Sequence, residues 1–332
     1  MGTYKGIKGV KVESKASDPS ASEAAGQVWY NTSSKALKYA VAGAGSWASG
    51  GALNAGRGQM GLTGIITAAV AFGGIPGNKT NTETYNGTAW TAKNALNTGV
   101  QYNFGFGTQT AAVNAGGVVS GGADTDNTET WDGTNWTTSP ADLNTARQKA
   151  SAANQGTTTA GLIFGGYKQS PNTSIANVES WNGSAWTETA DVNTAREQAG
   201  GGGTSTAAFF ANGYVYNSPY PANTEIWNGT SWTEVNNCNT GRQAVGSSGT
   251  TTSALIYGGT YPGGPGPTKL TEQWDGTSWT EVADLATAAE GKGKGCGVSG
   301  DSALAAGFDG SPNTITEEWT NPVYAVKTVT VS

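Results

Sequence analysis

Histidine is missing from this 332-residue chain altogether. Its absence removes the commonest general base, the commonest metal ligand and the side chain that titrates near neutrality. Cysteine is almost missing: Cys238 and Cys296 lie far apart, so neither a disulfide framework nor a thiolate metal motif can be drawn. Charge is sparse, at 13% of residues, and the 18 Lys and Arg against 24 Asp and Glu leave a net charge of −6. A phosphate backbone needs clustered cations, which excludes nucleic acid as the main partner. The modest cluster Lys5, Lys8, Lys11 and Lys15 reads as a solvated arm. No stretch approaches the roughly 20 apolar residues of a bilayer-spanning helix, so no membrane insertion is expected. The opening MGTYKGIKGVKVESK has no apolar core of a secretory signal.

Glycine and tryptophan are what the chain has in excess, with 51 and 12 residues. With helix formers thin, that composition points to many short strands joined by tight turns. The tryptophans repeat. TYNGTAWT at 84–91 is followed by TWDGTNWT at 130–137, SWNGSAWT at 180–187, IWNGTSWT at 226–233 and QWDGTSWT at 273–280. A degenerate copy, EWTNPVY, begins at Glu318. The leading aromatics are Tyr85, Trp131, Trp181, Trp227, Trp274 and Trp319, at steps of 46, 50, 46, 47 and 45 residues. That period fits a four-stranded propeller blade.

The trailing tryptophans are Trp90, Trp136, Trp186, Trp232 and Trp279, and a sixth equivalent, Trp47, lies upstream of all the leading aromatics. This offset predicts that the chain opens with the last strand of a blade and closes with the first three strands of the same blade. The two ends would then pair and remove exposed sheet edges. Alternatively, the tail VYAVKTVTVS supplies the closing strand. The expected organisation is an N-terminal arm at 1–42, a six-bladed all-β propeller at 43–322 and a strand-like tail at 323–332.

Within a unit, a loop such as ADLNTAR (141–147) precedes a first strand of small residues, then an apolar strand ending in a glycine pair, as in GLIFGG (161–166). The third strand carries Glu and the leading aromatic two residues apart, hence on one face. N-G or D-G reads as a two-residue type I′ turn into the fourth strand.

A glycine pair, then an aromatic, then a tryptophan resembles the kelch repeat. The E-x-W-N-G-T-x-W-T and L-N-T-A-R signatures also look like propeller repeats of tailed-phage virion proteins. GQVWYNTSSKALKY (26–39) is similar to segments near the start of phage fibre and tail proteins. The resemblance covers residues 43–322 and implies a virion structural or adhesion protein, made in the host cytoplasm, whose propeller meets a host surface glycan or protein. The arm would dock it to other virion proteins by strand addition. A purely architectural or capsid-decorating role is the nearest alternative.

The repeated carboxylates Glu83, Glu129, Glu179, Glu225, Glu272 and Glu317 invite a general-acid reading, but a catalytic acid is not needed once per blade. The repeated Arg57, Arg147, Arg196 and Arg242 make charge-assisted pairing the simpler account, with gaps at Val100 and Ala289. D-G-T-x-W resembles the Asp-box turn of sialidases, yet the unrepeated arginines that such an enzyme needs are not found. Copper oxidases on kelch propellers hold their metal with histidine. No catalytic residue, cofactor or metal is therefore assigned; a glycan-cleaving enzyme would need a carboxylate pair about 5–9 Å apart. Specificity is expected in the variable connections between second and third strands, where Tyr167, Tyr214, Tyr216, Tyr220 and Tyr261 form the expected ligand-binding face.

Overall fold

The computed structural model describes residues 12–19, 27–41, 45–218, 220–263, 266–288, 294–307, 314–321 and 325–329. Lys5, Lys8, Lys11 and Ala289 fall outside them. Two units partition the chain, Ser46–Thr320 and Met1–Gly45 with Asn321–Ser332.

The larger unit is all-β, and its described residues contain no helix. Sheet I consists of Gly61–Ile65, Ala68–Phe72, Thr82–Tyr85 and Trp90–Lys93, each strand antiparallel to the next. Sheet II repeats the meander with Phe104–Thr108, Ala111–Val118, Asp124–Trp131 and Trp136–Thr138. Sheet III uses Ser151–Ala152, Gly161–Phe164, Val178–Trp181 and Trp186–Thr189. Sheet IV uses Gly200–Thr204, Ala207–Ala211, Thr224–Trp227 and Trp232–Val235. Sheet V uses Gly246–Gly249, Ala254–Tyr257, Thr271–Trp274 and Trp279–Val282. Sheet VI takes Lys294–Ser299, Ser302–Ala306 and Thr316–Thr320 from the end of the unit and Ser46–Ser49 from its start, with Trp319 opposite Trp47. The Trp47 segment thus completes this sheet. The alternative, that the tail does so, is overturned, because Ala325–Thr328 pairs elsewhere.

First strands touch in sequence from sheet I round to sheet VI, and the first strand of sheet VI touches that of sheet I. Small residues make this close approach possible. A Cβ on Gly295 would lie 2.4 Å from the Ser247 carbonyl of the preceding first strand, and one on Gly201 would lie 2.8 Å from Ser151 Cβ; further out, one on Gly161 would lie 2.0 Å from the Phe106 ring of the preceding sheet. Aromatic rings lie where side chains are missing, and close packing of large against small leaves few voids.

Between sheets, the trailing tryptophan is the recurrent connector. Its indole packs on the leading aromatic of its own sheet, at 4.9 Å for Tyr85–Trp90 and 5.3 Å for Trp131–Trp136. Its Nε1–H reaches back to a buried threonine of the preceding sheet: Trp136 to Thr82 at 2.8 Å, Trp186 to Thr128 at 3.0 Å, Trp279 to Thr224 at 2.9 Å, Trp90 to Thr316 at 2.9 Å and Trp47 to Thr271 at 3.1 Å. In sheet III the threonine is replaced by Val178, and the buried Nε1–H of Trp232 has no partner.

The hairpin joining third and fourth strands differs from the two-residue turn expected. Tyr85 pairs with Trp90, leaving four residues in the loop. Asn86 Oδ1 accepts the amides of Thr88 and Ala89 at 2.9 Å each, and Gly87 takes φ +90°. The Asn or Asp side chain closes the loop as an Asx turn, which a wider connection permits.

In the smaller unit, Glu13–Lys15 runs parallel to Val28–Asn31, which pairs antiparallel with Ala36–Val41, which pairs with Ala325–Thr328. Asp18 accepts Lys38 Nζ and Asn31 Nδ2 at 2.7 Å each and Trp29 Nε1 at 3.1 Å. These donors hold its carboxyl below the ordinary range. Val28, Tyr30 and Tyr39 stand exposed while Trp29 and Asn31 are buried, the alternation of a sheet with one covered face.

Candidate ligand-binding loop face

The repeated charges are structural. In four sheets the preceding loop delivers an arginine beneath the glutamate of the third strand: Arg57 to Glu83, Arg147 to Glu179, Arg196 to Glu225 at 3.0 Å and Arg242 to Glu272 at 2.9 Å, all buried. The loop's asparagine adds its backbone amide to the same carboxylate and its side chain to the carbonyl of the trailing tryptophan, as Asn144 does with Glu179 at 2.7 Å and Trp186 at 3.2 Å. Each glutamate thereby ties a loop to two strands. None is left open to a substrate in these four sheets.

Two groups mark how sensitive this arrangement is to its cation. Burial by itself would raise the Glu83 carboxyl, but Arg57 and the Asn54 donors outweigh it and leave it below the ordinary value. Where Val100 replaces the arginine, Glu129 accepts only the amides of Asn97 at 2.8 Å and Thr98 at 2.9 Å with the Asn97 side chain beside it, and burial raises it. Arg196 is pressed down to about 10 by burial against the pull of Glu225, which still leaves it charged at neutral pH. Cys238 occupies a buried leucine position of the loop repeat, and burial pushes its thiol up to about 12, as expected of a small apolar filler.

The residue after each arginine position pairs with the residue after the glycine pair: Gln148 with Tyr167, Glu197 with Tyr214 and Gln243 with Thr260. The variable connections and the arginine loops therefore share a face. One residue further on, Gln59, Tyr102, Lys149, Gln198 and Ala244 all take φ between 49° and 57°. Their backbones form a chain of hydrogen bonds, from Tyr102 N to Gln59 O at 2.8 Å, Lys149 N to Tyr102 O and Gln198 N to Lys149 O at 3.0 Å each, and Ala244 N to Gln198 O at 2.7 Å. This fixed girdle presents the side chains of Tyr102 and Lys149 beside the variable loops.

Four of the five tyrosines come together in two pairs. Tyr167 opens a two-stranded ribbon, Tyr167–Lys168 with Thr173–Ser174, and its ring centroid is 6.1 Å from that of Tyr216. Asn172 links them, accepting from the Tyr167 hydroxyl and donating to that of Tyr216. Tyr214 and Tyr220 meet edge-on at 5.4 Å, and the Tyr220 hydroxyl accepts Gln243 Nε2 at 3.2 Å. Tyr261, half-buried beside Thr260, makes no ring contact with them among the described residues.

Sequence reasoning missed Lys149. Its ammonium stands 4.7 Å from the Tyr167 centroid and 5.6 Å from that of Tyr102, and 3.3 Å from the buried carboxylate of Glu197. A cation over two rings is a favourable contact in its own right. Burial raises the Glu197 carboxyl and Lys149 opposes it. The available signal was the occupancy of the position two beyond the arginine, where Lys149 departs from its repeat equivalents.

Taken together, a cyclic succession of four-stranded meanders with a side-chain-rich loop face defines a propeller-like all-β protein. Among solved structures the chain is similar to that titled "Structure of YjhT", a β-propeller, with TM-score 0.68, 10% identity, and coverage of 83% of this chain and 99% of that one. No family model matches the sequence, and no curated protein matches it.

Proposed function

We propose that the chain is a six-bladed, kelch-like propeller that binds a partner through its tyrosine-bearing loop face and performs no catalysis. The carrying observation is the pairing of half-buried tyrosines from sheets III and IV, pinned by Asn172 and by Lys149, on a face whose loops vary while the scaffold repeats. Supporting six blades are the six meanders and the round of first-strand contacts. Tyrosine brings contact area and a hydroxyl at low entropic cost, which suits recognition. Against catalysis stand the lack of histidine and the commitment of four repeated glutamates to arginine.

The resemblance of the repeat and of residues 26–39 to tailed-phage proteins supports our reading that this activity belongs to a virion tail or fibre, with the propeller outward toward a host surface and residues 1–42 docking to the particle. Replacing Tyr167 and Tyr216 together by alanine is expected to cut binding to host cells at least about tenfold while circular dichroism shows the all-β fold retained, because hot-spot aromatics carry binding. Undiminished binding refutes the loop-face reading. Mass spectrometry of host polysaccharide after incubation with the protein checks the non-enzymatic part; cleavage products would overturn it.

A further inference from the structure

Beside the tyrosine ribbon lies a groove of about 450 Å³. It is lined by Lys168, Gln169 and Ser170 of the ribbon on one side and by Gly121 and Gly122 on the other, with Asp124 joined to the ribbon through the Gln169 amide. The two glycines take φ +93° and +86°, and a Cβ on either would meet nothing within 4 Å, so this wall is bare backbone facing open space. Asp124 is held rigidly: one oxygen accepts Gln148 Nε2 at 2.8 Å and the other the Gln169 amide at 2.7 Å. Lys168 has no ion-pair partner among the described residues. The groove thus offers an ammonium, a hydroxyl, amides and backbone carbonyls at close spacing, and the half-buried Tyr167 adjoins Lys168 in the ribbon.

We infer that this groove binds a neutral oligosaccharide. The inference rests on the loop-face reading above and names its ligand. A sugar chain is narrow, carries hydroxyls that both donate and accept, and has C–H faces that rest on aromatic rings. The lining answers the hydroxyls with the Lys168 ammonium, the Ser170 hydroxyl and exposed backbone, and the ribbon's ring, Tyr167, adjoins Lys168 outside the lining. A protein partner fits worse, because stable protein interfaces bury about 800 Å² per side around side-chain anchors, and the wall of Gly121 and Gly122 offers backbone alone. A polyanion fits worse too. Residues 46–320 carry 11 Lys and Arg against 21 Asp and Glu, a field that repels acidic polymers.

The test is saturation-transfer NMR and array binding of the intact chain with neutral hexose and N-acetylhexosamine oligosaccharides, with a polyuronate in parallel. Ser170→Trp fills the groove from an exposed position, and Lys168→Ala removes the ammonium. At least one neutral oligosaccharide is expected to bind, with Ser170→Trp lowering its affinity at least about tenfold and Lys168→Ala about three- to tenfold, in the range of one or two lost hydrogen bonds. Circular dichroism and the thermal midpoint of both variants should match the parent. Binding of polyuronate in preference to neutral sugars overturns the inference, as does sugar binding that Ser170→Trp leaves unchanged. If no oligosaccharide binds but host-cell attachment still depends on Tyr167 and Tyr216 and is abolished by protease treatment of the cells, the glycan is wrong and the loop-face reading stands. If attachment is indifferent to those tyrosines as well, both fall.

Discussion

Val178→Thr should stabilise the protein. In five sheets a threonine at this third-strand position accepts the Nε1–H of the next trailing tryptophan at 2.8–3.1 Å. Trp232, 6% exposed, has that donor unpaired because Val178 offers a methyl where an oxygen belongs. An unsatisfied buried donor costs about 1–3 kcal/mol. Against this, exchanging a buried methyl for a hydroxyl forfeits about 0.8 kcal/mol of apolar burial and must place the hydroxyl proton. The equivalent Thr271 gives its proton to the carbonyl two residues earlier at 3.5 Å, and residue 176 offers the same group. The balance is a gain of about 0.5–1.5 kcal/mol, with a thermal midpoint higher by roughly 1–3 °C for a unit of this size. Urea unfolding of four proteins measures it: the parent, Val178→Thr, Trp232→Phe and the double variant. The gain should vanish in the phenylalanine background, which has no donor to satisfy. A destabilised Val178→Thr, or an equal gain with Phe at 232, refutes the reasoning.

Other positions carry predictions of the same kind. Asn212 stands at φ +60° where other sheets have the first glycine of the pair, fully buried with both amide atoms unpartnered; Asn212→Gly is expected to raise the unfolding free energy by about 1 kcal/mol, and a loss in urea unfolding would show that the lost volume matters more. Gly161→Ala drives a methyl into the Phe106 ring and should cost about 1–3 kcal/mol, read from the same transition; a neutral result would mean the ring has room to move. The pH dependence of two glutamates should have opposite signs. The folded Glu83 lies below its ordinary 4.5, so its contribution is present above that value and is lost as pH falls through it toward the folded pKa. The folded Glu129 lies above 4.5, so its contribution is full below that value and is lost as pH rises through the folded pKa. Relative to the parent, Glu83→Gln should therefore be least destabilising in acid and Glu129→Gln most so, and parallel pH profiles would contradict the assignment.

The period, the strand order within a unit and the joining of Trp47 to Trp319 were legible from residues alone, because each depends on local alternation and on the offset between two tryptophan series. The Arg–Glu pairing was legible in outline for the same reason, since a charge repeated with the scaffold belongs to the scaffold. The hairpin was misread: N-G is a turn signal, but loop length is set by which residues pair, and Tyr85 opposite Trp90 leaves room for four. The five tyrosines could be picked as loop residues, but not sorted. Ring contacts between Tyr167 and Tyr216 join residues 49 positions apart, and only the spacing of neighbouring sheets brings them to 6.1 Å. Lys149 and Glu197 meet for the same reason, through a girdle of backbone hydrogen bonds in which every residue has a left-handed φ that its side chain does not announce. Sequence determined what recurs, since recurrence is its own signal; tertiary structure decided what meets across sheets, since those contacts depend on distances that no single repeat encodes.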